Sequence, residues 1–171
     1  RFDCVIFLNT TGDVLDAAQQ TAFEKYYTQG KGYVGVHSAS DTEYEWPFYG
    51  EPVGAYFKQH PAIQPADIEV TEPRHASTRH LPAVWSRTDE WYDFRASPRE
   101  GVNKILVLNE GSYKGGAMNG NHPIAWWSEF KGGRSFYTAL GHTKQSYAEP
   151  EFVEHLRRAV LWAAHYEDSN K

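Results

Sequence analysis

The chain opens with a β-strand, an α-helix and a second β-strand, and this order constrains the fold more than any other feature. Phe2–Asn9 is a short apolar run closed by a turn signal, which predicts a fully buried parallel strand. A helix with apolar residues at helical spacing follows, with its N-cap near Asp13 or Asp16 and its end at Gly30. The second strand is Gly32–Val36. This order predicts an α/β fold with a right-handed crossover.

The second strand ends abruptly in a cluster of small polar residues. His37, Ser38, Ser40 and Asp41 follow Val36 almost without interruption. A strand that turns sharply into a helix places one side chain at the tip of a tight bend above the sheet edge, which is the geometry of a nucleophile elbow. The residue at this tip is His37, so the pattern predicts a site that presents an imidazole where other elbows present a hydroxyl or a thiol.

The length and charge of the chain limit its class and its partners. A chain of 171 residues can form one domain with a substantial core, which we place at residues 2–166, followed by a polar tail at 167–171. The net charge is −5 and the lysines and arginines are scattered, which argues against a nucleic-acid partner. No apolar run approaches the roughly 18 residues of a membrane span.

The chain contains one cysteine, Cys4, and begins at Arg1 instead of Met. A single cysteine excludes an intramolecular disulfide and a cysteine-rich zinc site. Because the chain starts without Met, we expect that a leader or a pro-segment has been removed. We also expect an extracellular or periplasmic location in preference to the cytoplasm.

Short strands and loops make up the rest of the chain before a final helix. Glycines and prolines divide the aromatic stretch Tyr44–Phe57 into short helical turns. Four glycines within Glu110–Asn121 predict a mobile surface loop. The other predicted elements are an edge strand at Asp67–Thr71, a loop at Glu72–Ser86, strands at Glu90–Phe94 and Lys104–Asn109, a hairpin of Pro123–Glu129 with Gly133–Ala139, and a helix from Pro150.

Three titratable residues lie where a site is expected. Ligands of open α/β sheets bind beyond the carboxyl ends of the strands. His37 and His142 each follow a predicted strand beside small residues, and Glu90 opens another. Because imidazole gains and loses a proton near neutral pH, we predict that His37 and His142 are acid/base groups and that Glu90 orients a ring or shares a proton.

Six further residues are predicted to contact a substrate. The chain has 6 Trp, 11 Tyr and 9 Phe, and the rings that are not in the core would suit stacking on a sugar or a nucleobase. The predicted contacts are Ser38, Asp41, Trp46, Trp91, Tyr92 and His122. The remaining histidines are interpreted as a structural cap in a His-Pro turn (His60) and as surface residues (His75, His80, His155 and His165).

The motifs of several other site classes are absent from the sequence. There is no glycine-rich phosphate loop, which disfavours nucleotides, and no His-Glu-x-x-His or paired cysteines, so we predict no cofactor. Scattered histidines that bind zinc through the fold remain a less favoured alternative. A serine nucleophile formed by Ser38 with His142 is another, although Gly-x-Ser-x-Gly is missing.

Four separated motifs resemble the trehalose-utilisation (ThuA-like) domain family. They are Gly-Tyr-Val-Gly-Val-His-Ser-Ala at 32–39, Arg-Thr-Asp-Glu-Trp-Tyr at 87–92, Asn-His-Pro-Ile-Ala-Trp at 121–126 and Gly-Gly-Arg-Ser-Phe-Tyr-Thr-Ala-Leu-Gly-His-Thr at 132–143. The resemblance implies a class I glutamine amidotransferase-like fold, a flavodoxin-like three-layer α/β sandwich with a mostly parallel central sheet and an added β-hairpin. It also implies a link to carbohydrate metabolism.

This chain departs from the superfamily pattern at the site. Amidotransferases carry a cysteine at the elbow tip, where His37 stands here, and their catalytic histidine is followed two residues later by Glu, where Lys144 stands here. Without a thiolate, glutaminase chemistry is excluded. The initial strand and the Gly-Phe-Arg-His-like loop of the family are also missing, so we expect the fold to lack its N-terminal strand and helix.

Two functions from different classes follow from this interpretation. In the first, the domain acts on a sugar or keto-sugar derivative by isomerisation, lyase action or hydrolysis at a histidine-containing cleft. In the second, it is a non-catalytic carbohydrate-binding module of a larger secreted enzyme. Both predict a small carbohydrate ligand, no nucleic-acid or membrane partner, and contact with other domains of a longer polypeptide or with a second copy of the chain.

Overall fold

A computed structural model describes residues 2–166, and its main element is a seven-stranded sheet. The strand order is β1-β2-β9-β8-β7-β4-β5, and β3 with β6 forms a separate two-stranded sheet. The strands are β1 Cys4–Leu8, β2 Gly32–Val36, β3 Phe57–Gln59, β4 Gln64–Val70, β5 Val84–Asp89, β6 Asp93–Phe94, β7 Asn103–Leu108, β8 Pro123–Phe130 and β9 Gly133–Thr138. The helices are α1 Ala17–Thr28, α2 Pro47–Val53 and α3 Pro150–Ala163.

The α/β fold is confirmed, but the direction of the strands corrects one part of the expectation. In the described sheet β1, β2 and β9 run parallel, whereas β9-β8, β8-β7, β7-β4 and β4-β5 pair antiparallel. The sheet is therefore mixed and not mostly parallel, because consecutive hairpins extend it on one side. The strand predicted at Asp67–Thr71 is not an edge strand, since β4 pairs with β5 on one side and β7 on the other.

Helices cover both faces of the sheet, which gives the three expected layers. On one face the Tyr27 hydroxyl of α1 lies 2.6 Å from Ser135 Oγ, and the Tyr49 hydroxyl of α2 lies 2.8 Å from that of Tyr33. On the other face α3 approaches so closely that a Cβ on Gly32 would meet the carbonyl oxygen of Ala163 at 2.5 Å. Only glycine permits this contact between helix and strand.

The first unit follows the sequence closely. The α1 helix begins with Asp16 as N-cap in a reciprocal capping box with Gln19, and Gly30 follows it in the left-handed region at φ 85°. The β2 strand is completely buried. The β1 strand is not, contrary to the prediction, because it lies at the edge of the described sheet with Ile6 and Leu8 about half exposed.

The β8–β9 hairpin is confirmed and closes with a two-residue turn. Lys131 and Gly132 have φ values of 46° and 90°, as a type I′ turn requires, and that turn matches the twist of the two strands. The strand predicted at Glu90–Phe94 is shorter, since only Asp93 and Phe94 pair with β3. Part of the predicted loop Glu72–Ser86 is strand β5.

Two further predictions, one on α3 and one on the loop at residues 110–121, differ from the structure. His155 was expected at the surface but is a fully buried residue of α3, with Nδ1 2.9 Å from the Ser77 carbonyl oxygen. The loop is held by Glu110, whose carboxylate accepts hydrogen bonds from the Met118 and Gly120 amides. The predicted tail lies outside the described residues. Among the helices of residues 2–166, none has the length and apolarity needed to cross a membrane.

Candidate functional site

The end of β2 forms the predicted elbow, with His37 at its tip. His37 has a φ of 51°, in the left-handed region that only strong local contacts make tolerable for a non-glycine residue. The Tyr137 hydroxyl donates to the His37 carbonyl at 2.8 Å, and His37 Nδ1 donates to the Ala139 carbonyl at 2.8 Å. The ring and the backbone of His37 are therefore both held by the neighbouring strand β9.

His37, Glu90 and His142 meet at this elbow, as the sequence analysis predicted from their places in the chain. His37 Nε2 lies 3.2 Å from Glu90 Oε2 and 3.1 Å from His142 Nδ1. His142 Nδ1 lies 3.3 Å from the same Glu90 oxygen. We call these three residues the triad. His37 and Glu90 are buried, whereas the His142 side chain is 40% exposed, so the triad opens to solvent on the His142 side.

A third histidine, His60, reaches the triad although the sequence suggested only a turn cap. Its Nδ1 lies 2.8 Å from the Pro61 carbonyl oxygen and 3.2 Å from Glu90 Oε1. A carbonyl oxygen only accepts, so Nδ1 carries the proton that it shares with these two oxygens. Both oxygens of the Glu90 carboxylate are thus engaged by imidazoles.

The electrostatics of Glu90 reflect this crowding. Burial raises the pKa of the Glu90 carboxyl, but its hydrogen bond with His37 and the nearby imidazoles of His142 and His60 outweigh this effect. Its pKa is therefore held below the ordinary value, and the carboxylate is charged. The Tyr92 ring packs against His37 with a centroid separation of 4.0 Å and is itself nearly buried.

Asp89, which the sequence analysis did not select, positions the loop that carries His142. Its carboxylate is fully buried and accepts hydrogen bonds from the backbone amides of Gly141 at 2.8 Å and His142 at 3.2 Å. Arg87 Nη1 donates to Asp89 at 2.5 Å and thereby balances the buried charge. The neighbouring Glu90 amide also donates to Asp89 at 3.0 Å. One carboxylate therefore fixes two members of the triad through their backbones.

His122 lies in a second cluster that adjoins the triad. It is fully buried, its Nε2 donates to the Tyr92 carbonyl at 2.8 Å, and its Nδ1 lies 3.1 Å from both Glu110 Oε1 and the Tyr113 hydroxyl. Its Nε2 is also 4.0 Å from Asp93 Oδ1. The structure thus holds His122 against the Tyr92 backbone in a fully buried position, whereas the triad is open to solvent at His142.

Four predicted substrate contacts lie outside the triad. Trp46 is buried among aromatic rings of α1 and α2 and donates from Nε1 to Glu24 at 2.9 Å. Trp91 is 1% exposed and donates to the Gln64 carbonyl at 2.8 Å. The Asp41 carboxylate accepts from the Tyr44 hydroxyl at 2.6 Å. Buried Ser38 makes no hydrogen bond with His142 in the described part of the chain, so the serine-nucleophile alternative lacks its base.

Comparison with known proteins places these features in a family. The sequence profile of the ThuA family, described as trehalose utilisation, matches residues 1–163. This chain belongs to the ThuA family. ThuA belongs to the glutamine amidotransferase-like superfamily, so the expected family and superfamily are both confirmed.

Solved structures agree with the ThuA assignment. A ThuA-like protein from Bacteroides uniformis is 28% identical, with a TM-score of 0.80 over 95% of this chain and 69% of its own. A ThuA-like protein from Parabacteroides merdae is 18% identical, with a TM-score of 0.79 over 95% of this chain and 70% of its own. Among proteins with curated descriptions, none matches this chain significantly.

The ThuA chain lacks a usable thiol at its elbow. The only cysteine, Cys4, lies in β1, and burial raises the pKa of its thiol to about 12. A thiol with that pKa is almost entirely protonated at neutral pH and is a poor nucleophile. The chemical groups available at the elbow are therefore imidazoles and one carboxylate.

Proposed function

We propose that this ThuA-family protein transforms a sugar or keto-sugar derivative at the triad, without glutaminase activity. The observation that carries the proposal is the meeting of His37, Glu90 and His142 within 3.3 Å of one another at an elbow that opens to solvent. The family description, trehalose utilisation, supports a carbohydrate as the substrate class.

Reactions of sugars at this kind of site depend on the polarisation of an oxygen and the movement of a proton. Isomerisation and elimination next to a keto group remove a proton from carbon, and hydrolysis protonates a leaving oxygen. Imidazole and carboxylate groups perform both tasks near neutral pH. The triad supplies them in one place, which favours an isomerase, lyase or hydrolase over a simple binding role.

The members of the triad differ in their access to a substrate. His142 is 40% exposed and is the member that a sugar reaches first. His37 and Glu90 are buried behind it and set its position and charge. The Tyr92 ring packs on the His37 imidazole at a centroid separation of 4.0 Å and adds an apolar contact that holds this ring in place.

The non-catalytic alternative loses much of its support. It depended on aromatic rings that stack on a sugar face, and two of the three predicted rings, Trp46 and Trp91, are buried and hydrogen-bonded within the protein. Tyr92 is nearly buried as well. A binding module needs an exposed aromatic platform, which these three residues do not provide.

The experiment compares His142→Asn and His37→Asn with a matched control, His165→Asn. Asparagine tolerates the left-handed backbone of His37, and His165 has a similar φ of 64° just beyond α3. Each protein is incubated with trehalose, maltose and cellobiose and with their keto derivatives, and products and affinities are measured by chromatography and calorimetry.

The proposal predicts turnover of at least one sugar by the wild type and the control. It also predicts that both triad variants lose at least ~100-fold in turnover while affinity changes little. Equal loss of affinity in both triad variants, with no turnover by the wild type, would support the binding module instead. Neither binding nor turnover of any sugar by the folded wild type would overturn the proposal.

A further inference from the structure

We propose that the triad is a metal site in which His37 Nε2, Glu90 Oε2 and His142 Nδ1 bind one divalent ion of the zinc class. The three atoms lie 3.1, 3.2 and 3.3 Å from one another. The metal site is inferred from the geometry of these three side chains alone. Only the identity of the substrate that the ion would bind rests on the proposed function.

The hydrogen bond of His37 Nδ1 determines that the lone pair on Nε2 faces Glu90 and His142. The Ala139 carbonyl, 2.8 Å from Nδ1, only accepts, so Nδ1 carries the proton. In the neutral ring Nε2 then bears a lone pair, and this lone pair faces a carboxylate oxygen and another ring nitrogen. Three electron-rich atoms in mutual contact need a cation between them, which is a proton or a metal ion.

The distances favour a metal ion. In a tetrahedral zinc site with bonds of about 2.0–2.1 Å, neighbouring ligand atoms are ~3.3 Å apart. All three separations in the triad are within a few tenths of an ångström of this value. One proton bridges only two of the atoms, whereas an ion just outside the plane of the triangle contacts all three.

The groups around the triad are those that orient metal ligands in proteins. Ligating histidines donate their other ring N–H to a carbonyl or carboxylate, and ligating carboxylates are hydrogen-bonded in turn. His37 donates to Ala139, and the second oxygen of Glu90 lies 3.2 Å from the protonated Nδ1 of His60. Asp89 holds the backbone amide of His142. His37 and Glu90 therefore each have a partner at the second polar atom of the side chain, and His142 is held through its backbone.

The neighbouring cluster of Asp93, Glu110 and His122 does not have this character. The Glu110 oxygens accept from the Met118 and Gly120 amides, and Asp93 accepts from the Ala117 amide and from Gln59. All four carboxylate oxygens of this cluster thus already accept from protein donors, and Asp93 and His122 are fully buried. Of these two clusters in residues 2–166, the triad is the one that opens to solvent, through His142.

The composition of the triad decides the class of ion and its use. Two imidazoles and one carboxylate suit zinc and the divalent transition metals iron, cobalt and nickel, whereas magnesium and calcium prefer all-oxygen sites. Three protein ligands leave a fourth position, and the exposure of His142 places it on the solvent side. A sugar hydroxyl or a keto oxygen bound there is polarised by the ion, which acts as a Lewis acid.

The test is a calorimetric titration of the chelator-treated protein with zinc chloride and cobalt chloride, with magnesium chloride as the third probe. Wild type and His165→Asn are expected to bind one equivalent of zinc and of cobalt, to give the visible absorption of tetrahedral cobalt, and to ignore magnesium. His142→Asn and His37→Asn are expected to lose at least ~100-fold in zinc affinity, and His60→Gln about 10-fold.

Two results would overturn the metal site: the absence of stoichiometric zinc binding by the folded wild type, or equal affinities in His142→Asn and His165→Asn. Because no sugar is present, this outcome is independent of the proposed function. Zinc binding without any sugar turnover would leave the site in place and refute the carbohydrate substrate. Turnover of a sugar by the metal-free protein would support the carbohydrate substrate and refute a role of the ion in the reaction.

Discussion

His37 Nε2 and His142 Nδ1 lie 3.1 Å apart although 105 residues separate them in the chain. The sheet explains this proximity, because β2 and β9 are parallel neighbours in which Val36 pairs with Thr138. The carboxyl ends of the two strands therefore meet at one edge, as open α/β sheets require of a site. Glu90 reaches the same point from the end of β5.

Replacement of Asp89 should disturb the triad, although Asp89 is not one of its three members. In Asp89→Asn the Arg87 guanidinium loses its fully buried counter-charge. One of the two oxygens that accept from the Gly141 and His142 amides is also replaced by an NH2 group, which cannot accept. We expect a loss of about 3 kcal/mol in the free energy of unfolding, measured with urea, since a broken buried ion pair is costly. Zinc affinity should fall about 10-fold, because Asp89 acts only through the His142 backbone.

Asp13→Asn is the matched control for Asp89, because Asp13 is exposed on the loop before α1. It should change neither the free energy of unfolding nor the zinc affinity. Equal behaviour of the two variants would show that Asp89 does not position His142.

Trp46→Phe should affect stability and not the site. The substitution removes the hydrogen bond to Glu24 and part of a ring packed on Phe23, and we expect a loss of about 1–2 kcal/mol in the free energy of unfolding. Sugar turnover and zinc affinity should remain those of the wild type. A selective loss of sugar affinity in this variant would restore Trp46 as a substrate contact.

The buried imidazole of His155 should make the fold acid-sensitive. Burial lowers the pKa of His155 to about 3, whereas an unfolded imidazole titrates near 6.5. Between these values the unfolded chain binds a proton that the folded chain excludes. The contribution of His155 to stability is therefore complete above about pH 6.5 and is lost as the pH falls toward 3.

His155→Asn tests this linkage, because the Asn amide can still donate to the Ser77 carbonyl. Urea unfolding near pH 7 and near pH 5 gives two free energies, and their difference should shrink by about 2 kcal/mol in the variant. A difference as large as that of the wild type would mean that His155 is protonated in the folded state.

Cys4 should be irrelevant to activity and to zinc binding. Its thiol has a pKa raised to about 12 by burial, so iodoacetamide at about pH 8 should modify the folded protein slowly. Cys4→Ala should match the wild type in turnover and in metal affinity. Rapid modification with stoichiometric loss of activity would point to thiol chemistry and contradict the imidazole-based site.

The sequence predicted those parts of the fold that local patterns determine. The unit from β1 to β2 and the hairpin of β8 and β9 have strong turn and cap signals, such as Gly30 and the Lys131-Gly132 turn. The β5 strand was missed because its inward positions are Trp85, Arg87 and Asp89. Two buried charges hide the alternation of apolar and polar residues by which a strand is recognised.

The sequence predicted the three members of the triad but not the residues that surround them. His37, Glu90 and His142 follow or open predicted strands, so the fold class alone suggested their convergence. His60 is brought in by the path of the loop after β3, which no local pattern specifies. The burial of Trp46 and Trp91 depends on packing across the whole domain, and composition does not distinguish a core tryptophan from a stacking platform.

Whether His37 and His142 form one site is tested most directly by the ring-nitrogen NMR spectrum of ¹⁵N-histidine-labelled protein, with the signals assigned through single variants. His37 is expected to carry its proton on Nδ1, and His142→Asn is expected to shift the His37 Nε2 resonance while His165→Asn leaves it unchanged. A His37 spectrum that does not respond to His142→Asn, or a proton on Nε2 alone, would show that the two rings do not form one site.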